Sequence, residues 1–185
     1  MNSQQIKEIL LSEIHEVSIN YEKYCYDPKH DFSRKRKLPF ELMLKNIIGM
    51  GSKSITNELI DIFQASGEMP SASAFVQQRT KIRPEALKAV FDGFMSRILA
   101  SADKMRILAV DGSDIQIETN PKDKTSHIST SIDKKSFNLL HLNALYDLEE
   151  HVYTDAIIQA AKSQNEHGAL NEMVDRSEIP KALVI

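Results

Sequence analysis

The spacing of apolar residues changes once along this 185-residue chain, near residue 104, and this change constrains the fold most. Upstream, apolar residues recur every three or four positions, which is the period of an amphipathic helix. Downstream, Ile107 to Val110 is a continuous apolar run between polar flanks, as in many buried strands. The sequence therefore predicts an α+β protein, with an all-helical region at residues 1–103 and a sheet-forming region at residues 104–185.

Proline, glycine and serine divide the first region into separate predicted helices. These are a helix over residues 1–26 that gives way near Pro28, one of about ten residues that starts at Pro39 and stops at Gly49 or Gly51, one capped by Ser54, one that begins near Ser71 or Ser73, and one opened by Pro84. Two short helices joined by a glycine-containing turn resemble a helix-turn-helix, so this region is a candidate for DNA binding.

The second region predicts the order strand, strand, strand, helix, strand. The later elements are strands at Phe137–Tyr146 and Val152–Ile158, a helix capped by Asn165 and broken by Pro180, and a buried strand that begins at Ala182–Ile185. The polar stretch at 118–136 is long for a connection, which is typical of a functional or mobile loop. This pattern alone leaves several α/β topologies open.

Charge is distributed unevenly between the two regions. Residues 31–100 hold 11 Lys and Arg against 7 Asp and Glu, a balance of +4 that suits a polyanion. Residues 101–185 hold 9 against 14, a balance of −5 that suits a fold concentrating carboxylates, such as one around a metal ion. The sequence lacks a membrane-length apolar run and a signal-peptide pattern, so we expect a cytoplasmic protein without a membrane partner. The one cysteine, Cys25, excludes an internal disulfide and is expected to be a packed thiol rather than a nucleophile.

Asp111 is the main catalytic candidate, because it follows an apolar run and is expected at the C-terminal end of a strand. A carboxylate buried there needs hydrogen-bond donors or a metal ion. The alternative interpretation is a turn aspartate ahead of Gly112 and Ser113. Asp114 competes with it as a metal ligand, but on an extended strand the two carboxylates point to opposite faces. His141 and Asn143 are expected to play supporting or purely structural parts.

Several segments together resemble insertion-sequence 4 transposases of the DDE type. The carrying segments are Ile107–Asp114 (ILAVDGSD), Leu140–Asp147 (LHLNALYD), Asp155–Gln159 (DAIIQ) with Asn165–Leu170 (NEHGAL), Phe32–Phe40 (FSRKRKLPF), and Pro70–Phe75 (PSASAF) with Gln77–Arg79 (QQR). Any one of them is weak, whereas their joint occurrence over about residues 30–185 is specific.

The resemblance implies a ribonuclease-H-like mixed sheet and cut-and-paste DNA transposition. In that family three acidic residues hold two Mg²⁺ or Mn²⁺ ions that activate the attacking group and stabilise the leaving oxygen. Asp111 matches the first acid. The second belongs to an Asp-Arg-Gly-Tyr-like motif directly after the last predicted strand, and the third lies much further on. The sequence is therefore expected to end before the second acid, with an incomplete sheet, and this chain alone is expected to be inactive. The implied partners are double-stranded DNA, as transposon ends and target, and a second copy in a homodimer.

Two clusters are the DNA-binding candidates. Arg34, Lys35, Arg36 and Lys37 form a basic run that could neutralise phosphates or could be a solvated linker. Gln77, Gln78 and Arg79 suit base edges as well as phosphates, but they fall on consecutive helical positions and cannot all face one groove. Lys81 is a further DNA-binding candidate next to them. Two further hypotheses stay open: a non-enzymatic DNA-binding protein that competes with the full transposase, and a stand-alone metal hydrolase that uses Asp111 and Asp114.

Overall fold

The chain forms two compact units, residues 1–101 and 102–185, which we call the helical unit and the sheet unit. The structure, a computed structural model, describes residues 2–34, 37–64, 66–67, 69–99, 105–129, 135–177 and 179–185. Helices and a mixed sheet are both present, so the predicted α+β class is confirmed. None of the described helices combines the length and the apolar character needed to span a membrane.

Five α-helices lie in the described part of the helical unit. They are α1 (Ser3–Ile19), α2 (Phe40–Gly49), α3 (Ile55–Phe63), α4 (Ala72–Arg79) and α5 (Glu85–Leu99). The predicted serine caps are confirmed, because the side chains of Ser54 and Ser71 accept hydrogen bonds from the first-turn backbone N–H groups of Asn57 and Ala74. Each cap satisfies one of the donors that a helix N-terminus leaves unpaired.

The first helix is shorter than the predicted helix over residues 1–26. It ends at Ile19, and a short 3-10 helix follows at Tyr21–Tyr24. The backbone then becomes extended so that Cys25 forms a bridge with Ile82, while the Tyr24 carbonyl accepts a hydrogen bond from the Arg83 N–H. Tertiary pairing has therefore overridden the helical spacing of this segment.

The core of the helical unit is apolar and continuous. Its members come from every helix and from the segments between them: Ile14, Val17, Cys25, Leu38, Phe40, Met43, Leu44, Leu59, Phe75, Ile82, Ala86 and Val90. Glu58 is also buried, and its Oε1 accepts backbone N–H groups of Gly51 at 3.1 Å and Lys53 at 2.9 Å. These two bonds explain how a carboxylate is accommodated beside the core.

The sheet unit is built around a long antiparallel pair. Its elements are β1 (Arg106–Ile117), β2 (His127–Ile128), β3 (Phe137–Asp147), β4 (Val152–Ala160), α6 (Glu166–Asp175) and β5 (Ala182–Val184). β3 pairs antiparallel with β1 on one side, and with β2 and β4 on the other. β5 pairs parallel with the opposite edge of β1, with Leu108 opposite Val184. The helix between β4 and β5 supplies the crossover that a parallel pair needs.

The two sides of the sheet differ in what covers them. On the helix face, Leu108, Leu145 and Met173 of α6 form a small buried core. The open face carries Asp111 and, from the register, large apolar side chains that are at least a third exposed, namely Ile107 (36%), Ile115 (41%), Tyr153 (57%), Ile158 (63%) and Leu183 (51%). The prediction of a buried last strand is therefore wrong for Ala182 and Leu183, which are exposed.

The first strand extends further than the sequence indicates. β1 does not end at Asp111 but continues to Ile117, because β3 pairs with every residue from Leu108 to Ile117. The loop that follows is held in place at residues 120–127 by the buried Asn138, which bonds to Asn120, Ser126 and His127. Residues 130–134 of the predicted functional loop lie outside the described residues.

Candidate functional sites

Asp111 lies in the middle of β1 on the open face of the sheet. Asp111 is exposed, and its Oδ1 accepts a hydrogen bond from the N–H of Gly112 at 2.9 Å. It pairs with Ala144 of β3, so its neighbour across the strands is a small side chain. The prediction that Asp111 is a buried carboxylate at the end of a strand is therefore wrong. Asp111 is exposed in the middle of the strand, where a ligand can reach it.

Asp114 points to the other face of the sheet, as alternation along the strand predicts. Its Oδ1 lies 2.9 Å from Nδ1 of His141, which is only 5% exposed. Glu166 approaches the other ring nitrogen, with its Oε1 3.1 Å from Nε2, but the angles do not meet those of a hydrogen bond. Asp111 and Asp114 cannot meet on one ion, and this separation counts against the hydrolase hypothesis.

Gly112 is required by close packing on the helix face. A Cβ atom at this position would lie 2.6 Å from Nε2 of His141 and 2.9 Å from Oε1 of Glu166. The space that glycine leaves beside Asp111 is thus used by side chains of the sheet unit itself. Asn143, the predicted neighbour of the site, is buried on this same face and donates to Oε1 of Gln159 at 3.3 Å.

The sequence analysis missed the ion pair of Arg106 with Asp147. Their side chains are 2% and 0% exposed, and Nη1 lies 2.6 Å from Oδ2. Burial alone would raise the pKa of Asp147, but the N–H of Glu150, the Arg106 guanidinium and the N–H of Glu149 together lower it. The register puts both residues at one end of the β1–β3 pair, so the role is structural. No local sequence pattern signals this pair, because its two residues are 41 positions apart.

Asp111 is the one carboxylate that β1 presents on the open face. Within the parts of the chain that the structure describes, no group of three or more His, Cys, Asp or Glu side chains is arranged to hold a metal ion. Asp111 is the residue that matches the first acid of the two-ion site implied by the family resemblance. A two-metal centre needs several carboxylates that hold ions about 3.5–4 Å apart.

Five of the DNA-binding candidates, Arg34, Lys37, Gln77, Gln78 and Lys81, line one or both of two neighbouring cavities in the helical unit. The first, which we call the apolar cavity, has a volume of about 530 Å³, and its lining includes Lys37, Leu38, Met69, Pro70, Gln77 and Gln78. The second, the polar cavity, has a volume of about 390 Å³, and its lining includes Lys29, Asp31 and Arg34. Both cavities are lined by Leu38, Gln78 and Lys81. The fold therefore brings the ends of the basic run beside α4.

The members of the two predicted clusters have different surroundings. Arg34 is exposed, and Lys37 donates from Nζ to the Gly67 carbonyl at 2.9 Å. Lys35 and Arg36 lie outside the described residues. On α4, Gln77 and Arg79 are exposed while Gln78 is buried, as expected for consecutive helical positions. Lys81 lies 3.9 Å from the carboxylate of Asp31, which also accepts the N–H of Asp27.

Cys25 has the properties of a packed thiol rather than a nucleophile. It is 3% exposed within the helical core. Burial, reinforced by the carboxylates of Asp31 and Glu22, raises the pKa of the Cys25 thiol to about 11. Since the thiolate is the reactive form, this side chain is inert near neutral pH.

Comparison of the chain with protein-family models, with curated proteins and with solved structures finds no match.

Proposed function

We propose that this chain belongs to the DDE-type transposases of the insertion-sequence 4 family. In this proposal the helical unit binds transposon-end DNA, and the sheet unit is the first part of a ribonuclease-H-like catalytic domain. The complete enzyme would cleave phosphodiester bonds and transfer strands with Mg²⁺ or Mn²⁺ as cofactor.

The position of Asp111 carries this proposal. Without the two-residue β2, the strands lie in the spatial order β4, β3, β1, β5, and α6 supplies the crossover before β5. In their order along the chain, these are the third, second, first and fourth strands. A ribonuclease-H-like sheet opens in this order. Asp111 is exposed on its central strand, where a carboxylate can reach a metal ion and a DNA phosphate.

The direction of β5 supports the same proposal. β5 runs parallel to β1, and Ile185 donates to the Leu108 carbonyl at 2.9 Å and accepts from the Val110 N–H at 3.2 Å. The strand thus runs towards the level of Asp111. The resemblance expects the second acid directly after this strand, and a residue there would lie beside Asp111. The described residues alone do not complete a two-ion site, so we derive no catalytic step through a metal.

The coding sequence downstream of codon 185 is the most direct test. A reading frame that continues into Asp-Arg-Gly-Tyr, with a glutamate further on, would support the proposal. An in-frame continuation with no acid within a few positions of Ile185 would contradict it, because no second carboxylate would then reach the level of Asp111.

Activity provides a second test. Labelled duplexes from the two sides of the gene would be incubated with Mg²⁺ or Mn²⁺ and either the 185-residue chain or a version extended through the missing acids. We expect cleavage by the extended version alone. Asp111→Asn should abolish it, whereas Asp114→Asn, on the other face of the same strand, is the matched control and should retain it. Cleavage that survives Asp111→Asn would remove Asp111 from the site.

DNA binding by the helical unit is tested by salt dependence. The slope of log K against log salt is about −0.9 for each phosphate neutralised. Changing Arg34, Lys35, Arg36 and Lys37 to alanine should weaken duplex binding and flatten that slope. Lys7→Ala is the control for loss of an unrelated charge, because Lys7 is an exposed cation on α1, outside the basic run. An unchanged affinity and slope would rule out phosphate contact by the run.

A non-enzymatic DNA-binding protein that competes with the full transposase is the second candidate. Two features favour it: the polar cavity, which is lined by Lys29, Arg34 and Lys81, and the single carboxylate that β1 presents on the open face. Occupation of the same duplexes by the 185-residue chain, and inhibition of the extended version by it, would support this function. A stop codon after Ile185 with stable expression would favour it over the first.

A further inference from the structure

The two cavities of the helical unit share the lining residues Leu38, Gln78 and Lys81, and we call the two cavities together the cleft. The far ends of this cleft differ in chemistry. Leu38, Met69 and Pro70 form the wall of the apolar cavity. Lys29 and Arg34 line the polar cavity. Lys81 lines both, next to Gln78. An apolar cavity next to a polar cavity that carries cations suits a ligand with a flat heteroaromatic part joined to an anionic part.

Gln78 is the polar group at the junction of the two cavities. Its residue is 8% exposed, yet its Oε1 has no hydrogen-bond partner among the described residues. A buried acceptor without a partner destabilises the folded state, so most such groups in proteins are satisfied. The observation is one buried amide atom without a partner among the described residues, on a residue that lines both cavities. The amide turns about its side-chain torsions to present both of its atoms to a ligand, and either end can be assigned to oxygen or nitrogen.

We propose that this cleft binds an adenine nucleotide unit of an unpaired DNA strand. The base lies in the apolar cavity between Leu38, Met69 and Pro70, and the phosphate lies in the polar cavity near Arg34 and Lys29. Adenine is the base that a glutamine amide matches best, since its N6 amino group donates and its N7 accepts on one edge. Contact of a base with apolar surfaces is a general means of binding single strands.

The charges around the cleft agree with the phosphate end of this ligand. Among the described residues that line the polar cavity, Lys29, Arg34 and Lys81 are cations and Asp31 is an anion. Asp31 is already engaged by the N–H of Asp27 and by Lys81 at 3.9 Å. Arg34 is exposed and so can turn towards a phosphate.

This inference rests on the proposed DNA-binding function, and its test separates the two. Binding of the whole 185-residue chain to short oligo-dA and oligo-dT strands of equal length would be measured by fluorescence anisotropy, alongside binding to a duplex. We expect roughly tenfold tighter binding of oligo-dA, the discrimination that one good amide–adenine pair provides. Competition with free adenosine monophosphate would show whether the nucleotide alone suffices or the strand is needed.

Two variants assign the effect to the cleft. Gln78→Leu should abolish the preference for oligo-dA without lowering the melting temperature, because it removes an amide with an unsatisfied atom. Ala74→Phe should obstruct the apolar cavity and weaken both strands. The matched control is Asn46→Leu, which removes the other buried side-chain amide with an unpaired atom and lines neither cavity. It should keep the preference.

The outcomes are distinct. A preference for oligo-dA that disappears in Gln78→Leu and persists in Asn46→Leu supports the proposal. Equal binding of the two strands, or a preference that survives Gln78→Leu, overturns it. If the duplex still binds in that case, DNA binding stands and only the nucleotide site fails. If neither duplex nor single strand binds, both proposals fail together.

Discussion

The two units of this chain bury different kinds of side chain. The helical unit has a core of twelve buried hydrophobic residues, whereas the corresponding cluster of the sheet unit has three, Leu108, Leu145 and Met173. The described part of the sheet unit instead buries polar groups, namely Arg106, Ser126, Asn138, His141, Asn143 and Asp147. The helical unit also buries Asp31, Asn46, Glu58 and Gln78, but apolar side chains dominate its core. In the described part of the sheet unit, the buried polar residues outnumber the members of the apolar cluster.

This difference has an energetic consequence. When an apolar core side chain is shortened, the loss of stability grows with the volume removed, because the core relaxes only in part. In a buried polar network, removing one partner leaves the other desolvated and unpaired. We therefore expect the sheet unit to respond more sharply to single polar substitutions.

The largest effect is expected for Arg106→Met. It leaves the carboxylate of Asp147 buried without its cation, which should cost about 3–5 kcal/mol in the free energy of unfolding. Urea unfolding followed by circular dichroism, with hydrogen exchange of the β1 and β3 amides, measures this loss. The double variant Arg106→Met with Asp147→Leu should recover much of it, because no unpaired charge remains.

The matched control is Arg97→Met in the helical unit. Arg97 pairs with Glu13 at 2.7 Å, but its side chain is 47% exposed. We expect a loss below about 1 kcal/mol, as for other exposed ion pairs. Equal losses for Arg97→Met and Arg106→Met would contradict the contrast between the two units.

The next largest effect is expected for Gly112→Ala. Its Cβ would lie 2.6 Å from Nε2 of the buried His141, so we expect a loss of about 1–3 kcal/mol. Gly49→Ala in α2 is the control, because nothing lies within 4 Å of its Cβ and alanine favours a helix. Thermal unfolding of both variants gives the comparison. A neutral Gly112→Ala would show that His141 and Glu166 move aside freely.

The pH dependence of stability should also separate the units. The pKa of Cys25 is raised from 9.0 to about 11 in the folded helical unit. The unfolded state then loses its proton first, so this contribution, on the order of 2 kcal/mol, is present below pH 9.0 and lost as the pH rises towards 11. Cys25→Ala should flatten this alkaline decline, measured by urea titrations at several pH values.

Asp147 gives the opposite dependence in the sheet unit. Its folded pKa lies below the ordinary 3.8, so its contribution is present above pH 3.8 and lost as the pH falls through the lowered value. Asp147→Asn should remove this part of the acid sensitivity. Hydrogen exchange of β1 amides, compared with that of α2, detects it in the unit concerned.

The smallest expected effect concerns helix caps, where the two units should behave alike. Ser54 caps α3 in the helical unit and Asn165 caps α6 in the sheet unit, each by accepting a first-turn N–H. Replacing either residue with alanine should cost about 1 kcal/mol. Thermal unfolding of both variants measures these losses. A loss confined to one unit would show that the type of core does not by itself decide how much stability each unit loses on substitution.

Much of the element order was predictable, because it depends on local spacing. The predicted caps at Ser54 and Asn165, and the opposite directions of Asp111 and Asp114, are confirmed. The end of β1 was not predictable, because Asp111-Gly112 also occurs in turns and only pairing with β3 extends the strand. The Arg106–Asp147 pair and the cleft around Gln78 join residues distant in sequence, so no local pattern reveals them.

The parallel pairing of β5 with β1 has a consequence for synthesis on the ribosome. The partner of Leu108 is Val184, about 75 residues later in the chain. At 5–20 residues per second, that edge of β1 is without its partner for roughly 4–15 s after it is made. The antiparallel partner β3 arrives sooner, so a nascent sheet with one unprotected edge exists for seconds. During that interval the unpaired backbone groups of β1 are a template on which a neighbouring nascent chain can pair.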